Sequence, residues 1–409
     1  MRGLGGTVLA ATMTALLAVG GCGAGPAADQ ATPTPTASAT QACTDEAVAV
    51  GADGATIEDI VRAAVAADDL TSVLYRVTRG DELIAAGAVG DSVTGIPVTQ
   101  DMHFRNGNVA FAYMGTLLLL MAEEGVVSLD DTVATWLPDL DVPGADAVTL
   151  KMLVASTSGY PDYVPDDGFV DRFLADPFQH LTPQELIDYA FTTPPWYEPG
   201  TAWNYAHTNY VILGEALAAA GGAPLGDLLS ERVIEPLGLQ STAPVLTPLL
   251  PNPVLHTFST ERGVFEETTY WNPSWQTAPG SVIATDICDM VASARAIGTG
   301  ELLEPASFEL MIAPETARLA PPPATCTVCR QFDDEQYYGL GVIVRAGWIQ
   351  QAPLFGGAGG VHAYLPDEDL AVALLAVTGA GSTPNTNYAA TIWTSIAEAL
   401  TPEHIPPAP

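Results

Sequence analysis

Residues Thr71 to Val89 (TSVLYRVTRGDELIAAGAV) carry two runs of β-forming residues separated by Arg79-Gly80-Asp81, the pattern of a hairpin. Val109 to Ala122 is apolar on every face apart from Thr116, which predicts a helix buried in the interior rather than one lying on the surface. Gly125 follows Glu123 and Glu124 in the position that favours a left-handed helix cap. Val148 to Ala155 and Thr182 to Ala190 read as further short elements, the second opened by Thr182, Pro183 and Glu185 in a capping pattern. Helices are also expected over Tyr210–Ala220, Leu225–Val233, Asp286–Ile297 and Tyr388–Leu400, with an irregular insert from Pro244 to Pro279. Gly339–Ala346 and Leu370–Val377 read as strands. Strands at both ends around a helical middle predict an α/β (α+β) fold: one antiparallel sheet built from the two termini, flanked by helices, with a helical lobe inserted.

The first residues have another purpose. Arg2, an apolar run from Val8 to Val19, and then Val19-Gly20-Gly21-Cys22 make a secretory signal. The rival readings are an ordinary signal cleaved a few residues later and an uncleaved anchor, but the run is short beside the ~20 residues a spanning helix needs. The segment resembles a bacterial lipoprotein signal, which implies that Cys22 is lipidated and becomes the mature N-terminus. Gly23 to Thr40 (GAGPAADQATPTPTASAT) has no apolar periodicity and reads as a tether. The expected organisation is a signal peptide over 1–21, lipidated Cys22 and a tether over 22–50, a domain over 51–402, and a tail over 403–409. That places the protein outside the cell, anchored by lipid to the outer face of a bacterial membrane.

With 13 basic and 48 acidic residues the formal net charge is −35. Such a surface repels phosphate backbones and anionic headgroups, excluding nucleic acid and any membrane contact beyond the anchor. Apart from Cys22 there are Cys43, Cys288, Cys326 and Cys329, which in an exported chain suggest two disulfides with three pairings. Cys326-Thr-Val-Cys329 sits in a loop-like APPPATCTVCRQ with no second CxxC or HxxxH, which favours a local staple over a redox or zinc motif. No metal or cofactor is expected.

Residues Phe104 to Leu140 contain FRNGNVAF and LMAEEGVVSLDDTVATWLPDL. Further on come TLKMLVASTSGYPDY, YEPGTAWNYAHTNYVILGEAL, VIEPLGLQST, APGSVIATDICDM and LFGGAGGVHAYLPDEDLAVALL. In this order, from about Leu70 to Leu400, they resemble the serine β-lactamases of class C and the related DD-peptidases and esterases. The resemblance implies a β-lactamase/transpeptidase-like fold. It also implies a serine and a lysine three residues apart at a helix start, assisted by a tyrosine on a Y-x-N loop and by backbone amides near the last strand.

At those positions this chain carries Asn108 for the serine, Phe111 for the lysine, Tyr205 for the tyrosine, His207 for the asparagine after it, and Gly357-Ala358-Gly359 for the strand motif. Lys151 is the only lysine and Val148 stands three residues before it, so no S-x-x-K exists in the chain. Losing nucleophile and base together costs on the order of 10⁶ in turnover in comparable enzymes. Asn108 then reads as a helix cap and Phe111 as a carbon plug. His207 as a base would need Ser156, Ser158 or Tyr205 within reach. Trp196, Tyr197, Trp203, Tyr210, Tyr270, Trp271 and Trp275 fall in the cleft-forming segments and suggest a residual aromatic pocket. The expected function is non-hydrolytic binding or scaffolding at the envelope, toward a peptidoglycan-related or small-molecule ligand or a protein partner. The alternative is an active esterase or peptidase using atypical residues.

Overall fold

The computed structural model describes residues 43–407 except 45, so the signal, Cys22 and most of the tether lie outside the described residues. Helix α1 (Gly51–Ala67) leads into strands β1 (Leu70–Arg79) and β2 (Glu82–Val93). Arg79 pairs with Glu82, so the turn is Gly80-Asp81, and Gly80 supplies the positive φ of +56° that it requires. The helical lobe includes α2 (Val109–Glu123), α3 (Pro183–Ala190) and α4 (His207–Gly221), after which α5 (Ile287–Thr299) returns the chain to the sheet. Strands β3 (Gln336–Tyr338), β4 (Ile343–Arg345), β5 (Trp348–Gln351), β6 (Leu354–Phe355), β7 (Ala358–Leu365) and β8 (Leu370–Thr378) precede the last helix, α6 (Tyr388–Leu400). All sheet pairs are antiparallel, in the order β2-β1-β8-β7-β5-β4-β3, with β6 also on β7.

Strand β8 explains the unbroken apolar run LAVALLAV. Successive side chains point to opposite faces, and both faces are covered. Leu370, Val372, Leu374 and Ala376 pack with Ile57 and Val61 of α1 and Trp393 and Ile396 of α6. Ala371, Ala373, Leu375 and Val377 join a second core with Leu117 and Leu118 of α2 and Ile287 of α5. As its pattern predicts, α2 lies within that core along nearly its whole length. The capping box forms at α3, where Thr182 and Glu185 bond each other's backbone amides.

Three expectations shift. Of the strand expected over Gly339–Ala346 only Ile343–Arg345 (β4) forms, and residues 339–342 join it to β3, which ends at Tyr338. The segment is pressed against α2: a Cβ on Gly115 would lie 2.3 Å from the Leu340 carbonyl, and Gly341, at φ +83°, faces the Phe111 carbonyl. The tether ends earlier than residue 50, because Cys43 is bonded to Cys288 and Val48–Ala49 pairs with β2. The tail begins later than 403, because the His404 carbonyl accepts from the Trp348 indole at 2.8 Å. The second disulfide is the local Cys326–Cys329 staple. Among the described residues no single helix is long and apolar enough to cross a membrane.

Candidate active-site cleft

A small sheet fixes where α2 begins. Phe104–Arg105 pairs with Ile283–Thr285, which also pairs with Ala243–Pro244 at one end of the insert, and the insert expected to be irregular contains a small hairpin, Phe258–Ser259 on Glu266–Glu267, and a 3-10 turn over Pro273–Trp275. The Asn106 amide donates to the Ile283 carbonyl at 2.9 Å. The chain then turns tightly at Gly107 (φ +55°), where a Cβ would lie 2.6 Å from Cβ of Pro353. Because of this turn the first amides of α2 find backbone acceptors: Val109 N–H on Asn106, Ala110 N–H on Gly107 and Phe111 N–H on Asn108. Asn108 therefore makes no side-chain cap, contrary to its expected role. Its Nδ2 instead donates to the Tyr205 hydroxyl at 3.2 Å, while its Oδ1 is buried without a hydrogen-bond partner.

Phe111 does fill space with carbon. Its ring stacks on Tyr210 of α4, with centroids 3.5 Å apart and planes at 1°. Tyr210 is held beneath it by donating to the Val154 carbonyl at 2.8 Å and by the Tyr338 hydroxyl at 2.7 Å.

The loop before α4 supplies the opposite wall. Burial pushes the Tyr205 phenol well above its ordinary range, with Tyr338 and Asp162 adding to the shift and Asn108 opposing it. His207 lies edge-on to it at 5.1 Å between ring centroids. Asp162 holds the histidine twice, accepting from its backbone N–H at 3.1 Å and lying 3.0 Å from its Nδ1. Since a carboxylate only accepts, Nδ1 carries the proton in this pair and Nε2 is left as the basic nitrogen. Among the described residues no nucleophile is bonded to it: the Ser158 hydroxyl donates to Asn209 at 2.5 Å, and the buried Ser156 hydroxyl interacts with Tyr338 instead.

Asn108, Phe111, Tyr205 and His207 thus meet in one cleft of about 180 Å³, closed by Trp275 and Gln276 on one side and by Leu354 and Phe355 of β6 on the other. Among the described residues no serine, threonine, cysteine or lysine lines it. Gly357 and Gly359 do not reach it. Gly357 backs onto the Phe258 carbonyl and Gly359 onto Asn387, and the strand segment at the cleft is the one just before them. Asp162 and β6 were not singled out in the sequence, although both lie within the quoted segments TSGYPDY and LFGGAGG. The expected aromatic cluster divides. Trp275 lines the cleft, Tyr210 lies under Phe111, Trp196 and Trp203 border a separate hollow, Trp271 packs on Phe173, and Tyr270 is exposed beside His256.

The family model described as Beta-lactamase matches residues 57–396, which run from α1 to α6 and include every wall of this cleft. The chain belongs to the Beta-lactamase family. Among curated proteins of known name, penicillin-binding protein 4 of Amycolatopsis lactamdurans is 32% identical over 167 residues, covering 40% of this chain and 42% of that protein. Esterase EstB of Burkholderia gladioli is 26% identical over 182 residues, covering 42% of this chain and 46% of the esterase. The alignments thus span less than half the length of these curated relatives. Among solved structures, a D-stereospecific amidohydrolase from Streptomyces sp. superposes with TM-score 0.70 at 24% identity, over 85% of this chain and 98% of that one. Beta-lactamase-family architecture thus extends over nearly the whole described chain.

Proposed function

We propose that this Beta-lactamase-family protein is a non-hydrolytic member that acts by binding at the bacterial cell envelope, held to the outer face of the membrane by lipid on Cys22. The observation that supports it is the Phe111 ring stacked at 3.5 Å on Tyr210, one turn from Asn108. An aromatic ring there cannot take a proton, and an asparagine amide is no nucleophile. The half-buried Tyr205 phenol, pushed well above its ordinary range, is a poor base at neutral pH. The names of the relatives, penicillin-binding proteins among them, favour a ligand related to cell-wall peptides, with another small molecule or a protein partner as alternatives. Incubation with nitrocefin or a fluorescent penicillin, followed by intact mass, is expected to give no turnover and an unshifted mass. Steady hydrolysis or a covalent adduct overturns the reading.

One arrangement favours a second reading, an esterase using atypical residues. Asp162 orients His207 as an acid orients a catalytic base, and one relative is named an esterase. A generic ester assay on the parent, Tyr205→Phe and His207→Ala separates the two readings. Identical background rates dismiss the esterase, and loss of rate in His207→Ala establishes it.

A further inference from the structure

On the other side of Tyr205 lies a second hollow of about 440 Å³, larger than the cleft and within the size range of small-molecule sites. Its walls include Trp196, Trp203, Phe332 and Tyr338, together with Arg330 and Arg345. The chain has only 13 basic residues against 48 acidic ones, and seven of the twelve cations among the described residues are paired. Arg62, Arg79, Lys151, Arg172, Arg232, Arg262 and Arg295 each meet a carboxylate. Among the described residues neither Arg330 nor Arg345 has an ion-pair partner, although Asp333, Asp334 and Glu335 follow closely in sequence.

The unmet groups are all donors. Arg345 Nε is buried without a hydrogen bond, and so is the indole N–H of Trp203, a residue only 5% exposed. Burial lowers the Arg345 guanidinium below its ordinary range, and the like charge of Arg330 adds to the shift. Among the described residues the one carboxylate in the wall, Asp162, is already engaged by the His207 and Val164 amides and by the His207 ring. Two cations held together with unpaired donors beside aromatic faces suit an anion attached to an apolar body.

We propose that this hollow is a binding site for a small organic carboxylate, with Arg330 and Arg345 holding the carboxylate and the Trp196, Trp203 and Phe332 rings enclosing an aromatic or branched aliphatic group. Arg330 follows directly on the Cys326–Cys329 disulfide, its amide donates to the Trp203 carbonyl at 3.2 Å, and Cys326 packs on Tyr197 and Ala202. The staple positions the arginine. The site does not depend on the absence of hydrolysis next door. Turnover in the Asn108 cleft would leave it standing, and its own failure would leave the non-hydrolytic reading standing.

Isothermal titration calorimetry of the protein with 4-phenylbutanoate, 4-phenylbutanamide and inorganic phosphate tests it. The acid is expected to bind at least about ten-fold more tightly than the amide, a difference of about 1.4 kcal/mol. Phosphate, which lacks the apolar body, is expected not to displace it. Arg345→Gln and Arg330→Gln should each weaken the acid about ten-fold without affecting the amide, as expected for loss of a charge-assisted contact. Arg262→Gln, which breaks the Arg262–Glu266 pair away from this hollow, should change nothing. Replacing both Cys326 and Cys329 by serine should weaken acid binding with both arginines intact. If Arg345→Gln fails to fold, the exposed Arg330 carries the test alone. Equal binding of acid and amide, no detectable binding of the acid, or an unaffected Arg330→Gln overturns the proposal.

Discussion

The two walls that meet at the Asn108–Tyr205 contact are built in opposite ways. The helix wall is carbon: Phe111 stacks on Tyr210, and most of α2 behind it is apolar and buried. The loop wall is held by polar contacts, with Asp162 on His207, the Tyr197 hydroxyl on Asn204 at 2.6 Å, and Asn204 on the Tyr160 carbonyl at 3.1 Å. Each wall is therefore held for a reason independent of chemistry. A buried helix face is kept by packing, where a lost ring leaves a cavity. A buried polar loop is kept because removing one partner strands the other without water. A scaffold can in this way outlast reactive groups at its centre.

If that contrast is right, the carbon wall gives the largest effect. Phe111→Ala removes a ring that is 1% exposed and leaves Tyr210 without its stack. A loss of about 3–5 kcal/mol is expected, as for other buried Phe→Ala changes. Chemical denaturation checks it. A loss below about 1 kcal/mol would mean that the site collapses around the gap and that the ring is no plug.

The helix wall also has a remote polar support, and pH should expose it. Asp289 on α5 accepts from the Ser241 amide at 2.7 Å and the Thr242 hydroxyl at 2.9 Å. Thr242 in turn meets Thr285, whose strand pairs with Phe104 just before the turn into α2. Burial first, and Asp286 second, raise the Asp289 carboxyl to about 6. Its folded value lies above the unfolded value of about 3.9. The folded state therefore binds the proton more tightly, and stability from this group is complete below about 4 and lost as pH rises through about 6. Two units correspond to about 3 kcal/mol. Glu185, held down to about 2 by the Thr182 amide and Arg172, acts oppositely and only at lower pH. The melting temperature should fall between about pH 4 and 6.5, and Asp289→Asn should flatten that slope. An unchanged slope would remove Asp289 as its source.

The central strands and α2 were legible because burial on every side writes itself into the sequence as unbroken apolar runs such as LAVALLAV and VAFAYMGTLLLLMA. The break at residues 339–342 was not, because it arises from α2 pressing on a backbone distant in sequence. The same cause hid half of the site. Asn108, Phe111, Tyr205 and His207 stand in segments with a readable order, whereas Asp162 and β6 reach the cleft only through the fold. Asn108 was misread as a cap because local preference favours it there. The glycine turn before it had already satisfied the amides.

The smallest expected effect tests the seam itself. Asn108 Nδ2 and the Tyr205 hydroxyl are 3.2 Å apart, and Asn108 Oδ1 has no hydrogen-bond partner. Tyr205→Phe leaves the amide with no partner from either side, which is expected to cost about 1 kcal/mol, near the lower end for stranding a buried donor. Asn108→Ala strands the phenol in turn. Removing both takes away both unmet groups, so the double variant should be more stable than the two single losses added together, with a coupling of about 0.5–1.5 kcal/mol. If the losses simply add, the contact does not join the walls, and each is held by its own surroundings alone.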